Sequence, residues 1–236
     1  MTYSPPLGPP RDEGELLRRA RALAGWSLSS LADSLGHSVP LDATRAKGWV
    51  GQLIEDALGA AAGNRAVPDF ERLGVELKTV PVDARGHPRE STYVTTLPLA
   101  ELDSTTFAQS SLHKKLAAVL FVPVEADPKL PLGVRQVGSP FLWRPDASVW
   151  ALIESDWSRF SAEVRAGRVE HIGPKVGELL QVRPKGADAR ETTRTIDAEG
   201  RERRTMRRGL YLRPTFVLSL FRGHFHMPPV SAPIGR

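Results

Sequence analysis

The 236 residues contain no cysteine. This excludes disulfides, thiolate zinc sites and a cysteine nucleophile, and it fits an intracellular, cytoplasmic protein. No apolar run is long enough to span a bilayer, and Met1 to Pro10 lacks the basic-then-apolar order of a signal peptide. The phosphate-cradling pattern G-x-x-x-x-G-K followed by Ser or Thr is absent, so no ATP site of that type is expected. No serine sits in a nucleophile elbow with Asp and His to follow, and no segment repeats.

What is present is ordinary in bulk and uneven in place. Apolar residues make up 41% and charged residues 25%, as in a globular protein with a real core. The net charge is +5. Residues 165–225 hold 14 Lys/Arg against 7 Asp/Glu, whereas the remainder holds 18 against 20. A basic C-terminal third beside a slightly acidic remainder suggests a polyanion-binding face, although a solvated surface would show the same bias.

Apolar spacing predicts helices over 16–24, over 28–35 behind a Ser27 cap, from about Lys47 to Leu58, over 149–164, and from Pro214 to Phe221. Strands are expected at 74–80 (ended by Pro81), 92–99, 119–124, 178–183 and 210–213, with a turn at 83–88. Pro184 to Arg208 reads as a long polar connection carrying Arg201, Arg203, Arg204, Arg207 and Arg208. The fold class is mixed α/β, with helices flanking a central sheet. Trp150 and Trp157 fall at core spacing. Leu28 to Gly36 has a helix-turn-helix flavour that an ordinary short helix already accounts for. His224 and His226 could touch a metal but lack a third ligand nearby.

The chemistry concentrates in Asp69-Phe70-Glu71-Arg72-Leu73-Gly74-Val75-Glu76-Leu77-Lys78. Residues two apart on a strand share a face, so Glu76 and Lys78 point together while Asp69 can fold back onto them. Two carboxylates with an ammonium suit a hard divalent cation held against a phosphodiester. The pattern D-x6-E-x-K is common by chance, and a surface Glu–Lys pair would produce it too. Here, however, the pair interrupts an apolar strand, and Glu55 lies on the small-residue face of the preceding helix.

Several blocks in order resemble the MutH family of mismatch-repair endonucleases. They are Lys47-Gly48-Trp49-Val50-Gly51-Gln52-Leu53-Ile54-Glu55, Asp69-Phe70, Gly74 through Asp83, His113-Lys114-Lys115-Leu116, Val122 through Glu125, Val137 through Pro140, Gln181 through Lys185, and Gly209 through Leu212. The likeness runs from about residue 5 to 226. It implies a restriction-endonuclease-like fold with two lobes around a DNA cleft: a single domain over 1–236 with a catalytic lobe at 11–103 and a basic lobe at 104–226; the tail at 227–236 has no counterpart in the family and is expected to be disordered.

The resemblance also implies a Mg2+-dependent enzyme using one or two ions. Such an enzyme nicks the unmethylated strand of hemimethylated GATC, 5′ to the G, as a monomer activated by ATP-bound MutL after MutS has found a mismatch. Asp69, Glu76 and the carbonyl of Leu77 would be metal ligands, Lys78 the catalytic lysine, and Glu55 and Lys115 auxiliary active-site residues. Arg183, Lys185 and Tyr211 fall where the family reads DNA. Lys47 and Tyr93 fall at DNA-binding positions, Tyr93 where the family has a different aromatic. Arg207 and Arg208 are expected to touch phosphate. A restriction enzyme cutting both strands of GATC, or a non-catalytic DNA binder, are the alternatives.

Overall fold

The computed structural model describes residues 8–41, 48–60, 67–185 and 191–227. The expectations for residues 1–7, Lys47 and residues 228–236 fall outside it. Helix α1, Glu13–Ala22, starts at Asp12, whose side chain accepts the Glu15 N–H; acidic residues in its first turn and basic ones in its last suit the helix dipole. Helix α2, Leu28–Leu35, is capped by Ser27 as expected and stopped by Gly36. Helix α3, Trp49–Leu58, buries Leu53, Ile54, Ala57 and Leu58.

Strand β1, Glu76–Val82, pairs in parallel with β3, Val119–Glu125, and β4, Phe141–Trp143, closes the other side of β3. Along β3, Leu120 and Val122 join the cluster built on α1 to α3, while Val119 and Phe121 join a second cluster. That second cluster includes residues of α5, Ala147–Arg165, and α6, Pro214–Phe225. Covered on both faces, β3 is apolar without alternation, which is why it was legible as a run.

A second sheet, β2-β8-β5, is wholly antiparallel: Thr92–Thr96, Arg208–Leu212 and Leu180–Pro184. Helix α4, Ser111–Leu116, packs on β2. Trp157 is core as expected, and Trp150 is half-buried with His113 stacked on it.

Two expectations fail for physical reasons. Strand β1 does not stop at Pro81. The Leu77 N–H turns away from β3 to Asp69, and four residues on the Pro81 carbonyl also faces outward, accepting from Arg89. A proline whose nitrogen faces a free edge removes no ladder bond. The polar connection is likewise not structureless: Thr192–Ile196 (β6) and Glu202–Met206 (β7) form a hairpin. Its inward side chains are threonines, Thr195 and Thr205 both being buried, together with Arg203, so no apolar alternation marked it.

The approach to β5 is clamped from both sides. Asp156 of α5, 2% exposed, accepts the N–H groups of Glu178, Leu179 and Leu180. The Arg213 guanidinium donates to the carbonyls of Pro174, Val176, Gly177 and Leu180. Asp156→Ala is expected to strand three N–H groups at a cost of at least about 3 kcal/mol. With an m-value of roughly 3 kcal/mol/M, the urea midpoint should fall by about 1 M. An unchanged midpoint would show that water replaces the carboxylate.

Candidate active site and nucleic-acid interface

Asp69 reaches the strand face because the chain doubles back ahead of β1. Phe70 and Val75 exchange backbone hydrogen bonds, and between them Gly74 takes φ +64°, a conformation open to glycine. Asp69 Oδ2 then accepts the Leu77 N–H at 2.8 Å. The Leu77 peptide thus lies on the same outer edge as Asp69.

Glu76 is 1% exposed. A carboxylate so far from water needs strong partners, and it has two. Lys78 Nζ donates to Oε1 at 2.6 Å, and Lys115 Nζ lies 2.9 and 3.0 Å from Oε1 and Oε2. Lys115 arrives from α4, a helix capped by Ser110. The Asp69 carboxyl is pushed up by burial and then by the charge of Glu76. Glu55 on α3 is pushed up by burial and then by Asp69. Three carboxylates (Glu55, Asp69, Glu76) meet two ammonium groups (Lys78, Lys115), one negative charge in excess in a partly desolvated place.

Mutual repulsion among hard oxygen donors is what a divalent cation relieves, so the donor set fits Mg2+. Among the described residues no three His, Cys, Asp or Glu side chains form a closed metal cage, the His224 and His226 pair included. A site with two carboxylates leaves the remaining coordination to water and phosphate.

The second sheet continues this cluster outward. Tyr93 of β2 and Tyr211 of β8 are register partners, with rings edge to face at 5.3 Å. Lys185 Nζ rests 3.1 Å over the Tyr93 ring, and Lys78 Nζ lies 6.0 Å from the same ring. The Arg183 guanidinium sits 5.8 Å from the Tyr211 ring and donates to Ser91 Oγ at 2.9 Å. The two tyrosines lean over Gly209, where a Cβ would come within 2.7 Å of Tyr211 Cε2. Burial, then Tyr93, holds the Tyr211 hydroxyl above its ordinary pKa.

The structure therefore gathers Glu55, Asp69, Glu76, Leu77, Lys78 and Lys115 in one place and joins Tyr93, Arg183, Lys185 and Tyr211 to it. It does not bring Arg208 there. Arg208 shares the core-side face of β8 with Leu210 and Leu212, and its Nε is buried without a hydrogen-bond partner. Arg207 is exposed between β7 and β8, its carbonyl accepting the Lys185 N–H. Sequence reasoning missed Ser91, Gly209 and Thr96, whose Oγ1 lies 3.0 Å from the Tyr93 hydroxyl. Strand pairing between distant segments places Ser91 and Gly209, while Thr96 lies three residues from Tyr93 across a register irregularity that simple alternation does not foretell.

Residues 58–156 match the family described as the DNA mismatch repair enzyme MutH. The DNA mismatch repair protein MutH of Shewanella woodyi is 45% identical over 211 residues, 89% of this chain and 91% of that protein. The protein of the same name from Yersinia enterocolitica is 43% identical over 223 residues, 94% of this chain and 98% of its own length. That of Serratia proteamaculans is 43% identical over 226 residues, 95% and 99% respectively.

Proposed function

The chain belongs to the MutH family of DNA mismatch repair endonucleases, and on that premise we propose that it nicks the unmethylated strand of hemimethylated GATC, 5′ to the G, with Mg2+. The observation that carries this reading is the buried carboxylate cluster held by Lys78 and Lys115, continuous through Tyr93 with the Tyr211, Arg183 and Lys185 face.

Asp69 and Glu76, with the Leu77 carbonyl, would hold the metal. When bound, it would draw charge from the scissile phosphate and lower the pKa of a coordinated water. The Lys78 ammonium is fixed on the same strand face as Glu76, where positive charge favours a hydroxide-like nucleophile and the developing phosphoryl oxygens. Lys115, donating to both Glu76 oxygens, keeps that carboxylate oriented. Guanine presents O6 and N7 to basic side chains such as Lys185 and Arg183, while N6 methylation of adenine adds bulk beside a donor hydrogen. Tyr211, half-buried beside Tyr93, is the side chain suited to sensing that bulk. The protein would act as a monomer in the cytoplasm, activated by ATP-bound MutL downstream of MutS. Among the described residues no helix is long and apolar enough to cross a membrane.

The test uses strand-labelled GATC duplexes, unmethylated, hemimethylated and fully methylated, incubated with Mg2+. Nicking confined to unmethylated strands is expected; cutting that ignores methylation refutes the reading. In the same assay Tyr211→Ala should narrow the rate gap between methylation states. Equal loss on all three duplexes would make Tyr211 structural.

A further inference from the structure

The β6–β7 hairpin contributes nothing to the site above, yet it holds four arginines: Arg194, Arg201, Arg203 and Arg204. Two are neutralised. Arg201 is bound by Asp197 and Glu199, and Arg203 by Glu170. The other two are set side by side, because Arg194 and Arg204 are direct cross-strand partners. Like charges placed opposite each other weaken a strand pair, so the arrangement does not serve the hairpin's own stability. Among the described residues Arg194 has a loose contact to Glu202 at 3.5 Å, with both side chains about two-thirds exposed (68% and 66%). Arg204 donates to Thr192 Oγ1 and to the Thr192 carbonyl, neither of which is charged.

The mounting is firm. On the opposite face Thr195 and Thr205 are buried, and Thr205 donates to Glu170. The hairpin turn lies so close to Gly167 that a Cβ there would sit 2.1 Å from the Asp197 carbonyl carbon. The base of the hairpin adjoins the DNA-reading strands, since the Lys185 N–H donates to the Arg207 carbonyl. The arginine pair stands two residues beyond Met206, about 7 Å farther out.

We propose that the Arg194–Arg204 face of the hairpin grips backbone phosphates of the duplex flanking the cut site. Two guanidinium forks held together by a sheet suit phosphate oxygens, and contacts to phosphate carry register and affinity with no sequence information. The inference rests on the endonuclease reading, but its test is a binding measurement independent of cleavage.

Dissociation constants are measured against salt, without divalent cation, on a duplex of about 10 base pairs (one helical turn) centred on GATC and on one about three turns long. Replacing both residues, Arg194→Ala with Arg204→Ala, should lower the salt slope on the long duplex by about two. On the one-turn duplex, which offers fewer flanking phosphates, a smaller loss is expected. Arg194→Lys with Arg204→Lys should restore most of the long-duplex slope. Arg201→Ala, whose guanidinium is already held by carboxylates, should keep the parent slope. A double alanine variant that keeps the parent slope on the long duplex, or loses equally on both, overturns the proposal. A parent protein that binds both duplexes and, once Mg2+ is added, cuts neither overturns the endonuclease reading instead.

Discussion

Asp69→Ala and Glu76→Ala are each expected to lose nicking by at least about a thousandfold, some 4 kcal/mol of transition-state stabilisation, while DNA is still held. The two carboxylates bring oxygen donors to one partly desolvated point, and without either one the divalent ion loses its place beside the phosphate. Their effects on stability should differ. Removing Glu76 leaves the Lys78 and Lys115 ammonium groups, 14% and 11% exposed, without their acceptor, and an uncompensated buried charge is costly. Glu76→Gln keeps an acceptor oxygen for these lysines and Asp69→Asn keeps one for the Leu77 N–H, while both remove the charge, so they separate loss of metal from loss of fold. DNA affinity without divalent cation should hold or rise, because a negative group facing phosphate has gone. Nicking by any of the four variants at more than about a tenth of the parent rate, a change of only 1.4 kcal/mol, sinks the assignment.

Lys78→Ala should lose the chemical step by about a hundredfold to ten-thousandfold with little change in DNA affinity. Its ammonium is committed to Glu76 at 2.6 Å, with Tyr93 6.0 Å away, so it sits among the reacting groups and apart from the exposed basic surface. Single-turnover rates at saturating protein, set against dissociation constants on the same duplex, divide the two effects. A loss confined to binding would make Lys78 a phosphate contact and leave the Glu76 charge to Lys115 alone.

Local geometry explains how much of this was visible in the chain. Asp69, Glu76 and Lys78 lie within ten residues, and strand alternation alone puts the last two on one face. The caps at Ser27 and Gly36 were equally local and equally legible. Lys115 and Glu76 are 39 residues apart, and their contact exists only because β1 and β3 pair in parallel with α4 between them in sequence. Tyr93 and Tyr211 meet through an antiparallel register that no periodicity encodes. Resemblance to a family could point to such residues, whereas composition and spacing could not. The β6–β7 hairpin was lost because threonines and Arg203, not apolar residues, fill its inner face, and β1 was cut short because a proline reads as a stop wherever its nitrogen is assumed to face a neighbour.

Pro81 has a further consequence, for the behaviour of the protein in solution. Strand β1 is the outer strand of its sheet, and an outer strand with open donors is a template on which a second molecule can add a strand. Here the outward Leu77 N–H is closed by Asp69, Pro81 has no N–H to offer, and the Pro81 carbonyl is taken by Arg89. The carboxylate proposed to hold the metal therefore also closes one outward donor of this margin against strand addition. Asp69→Ala opens that margin and Asp69→Asn does not, so a concentration-dependent rise in light scattering is expected from the alanine variant alone.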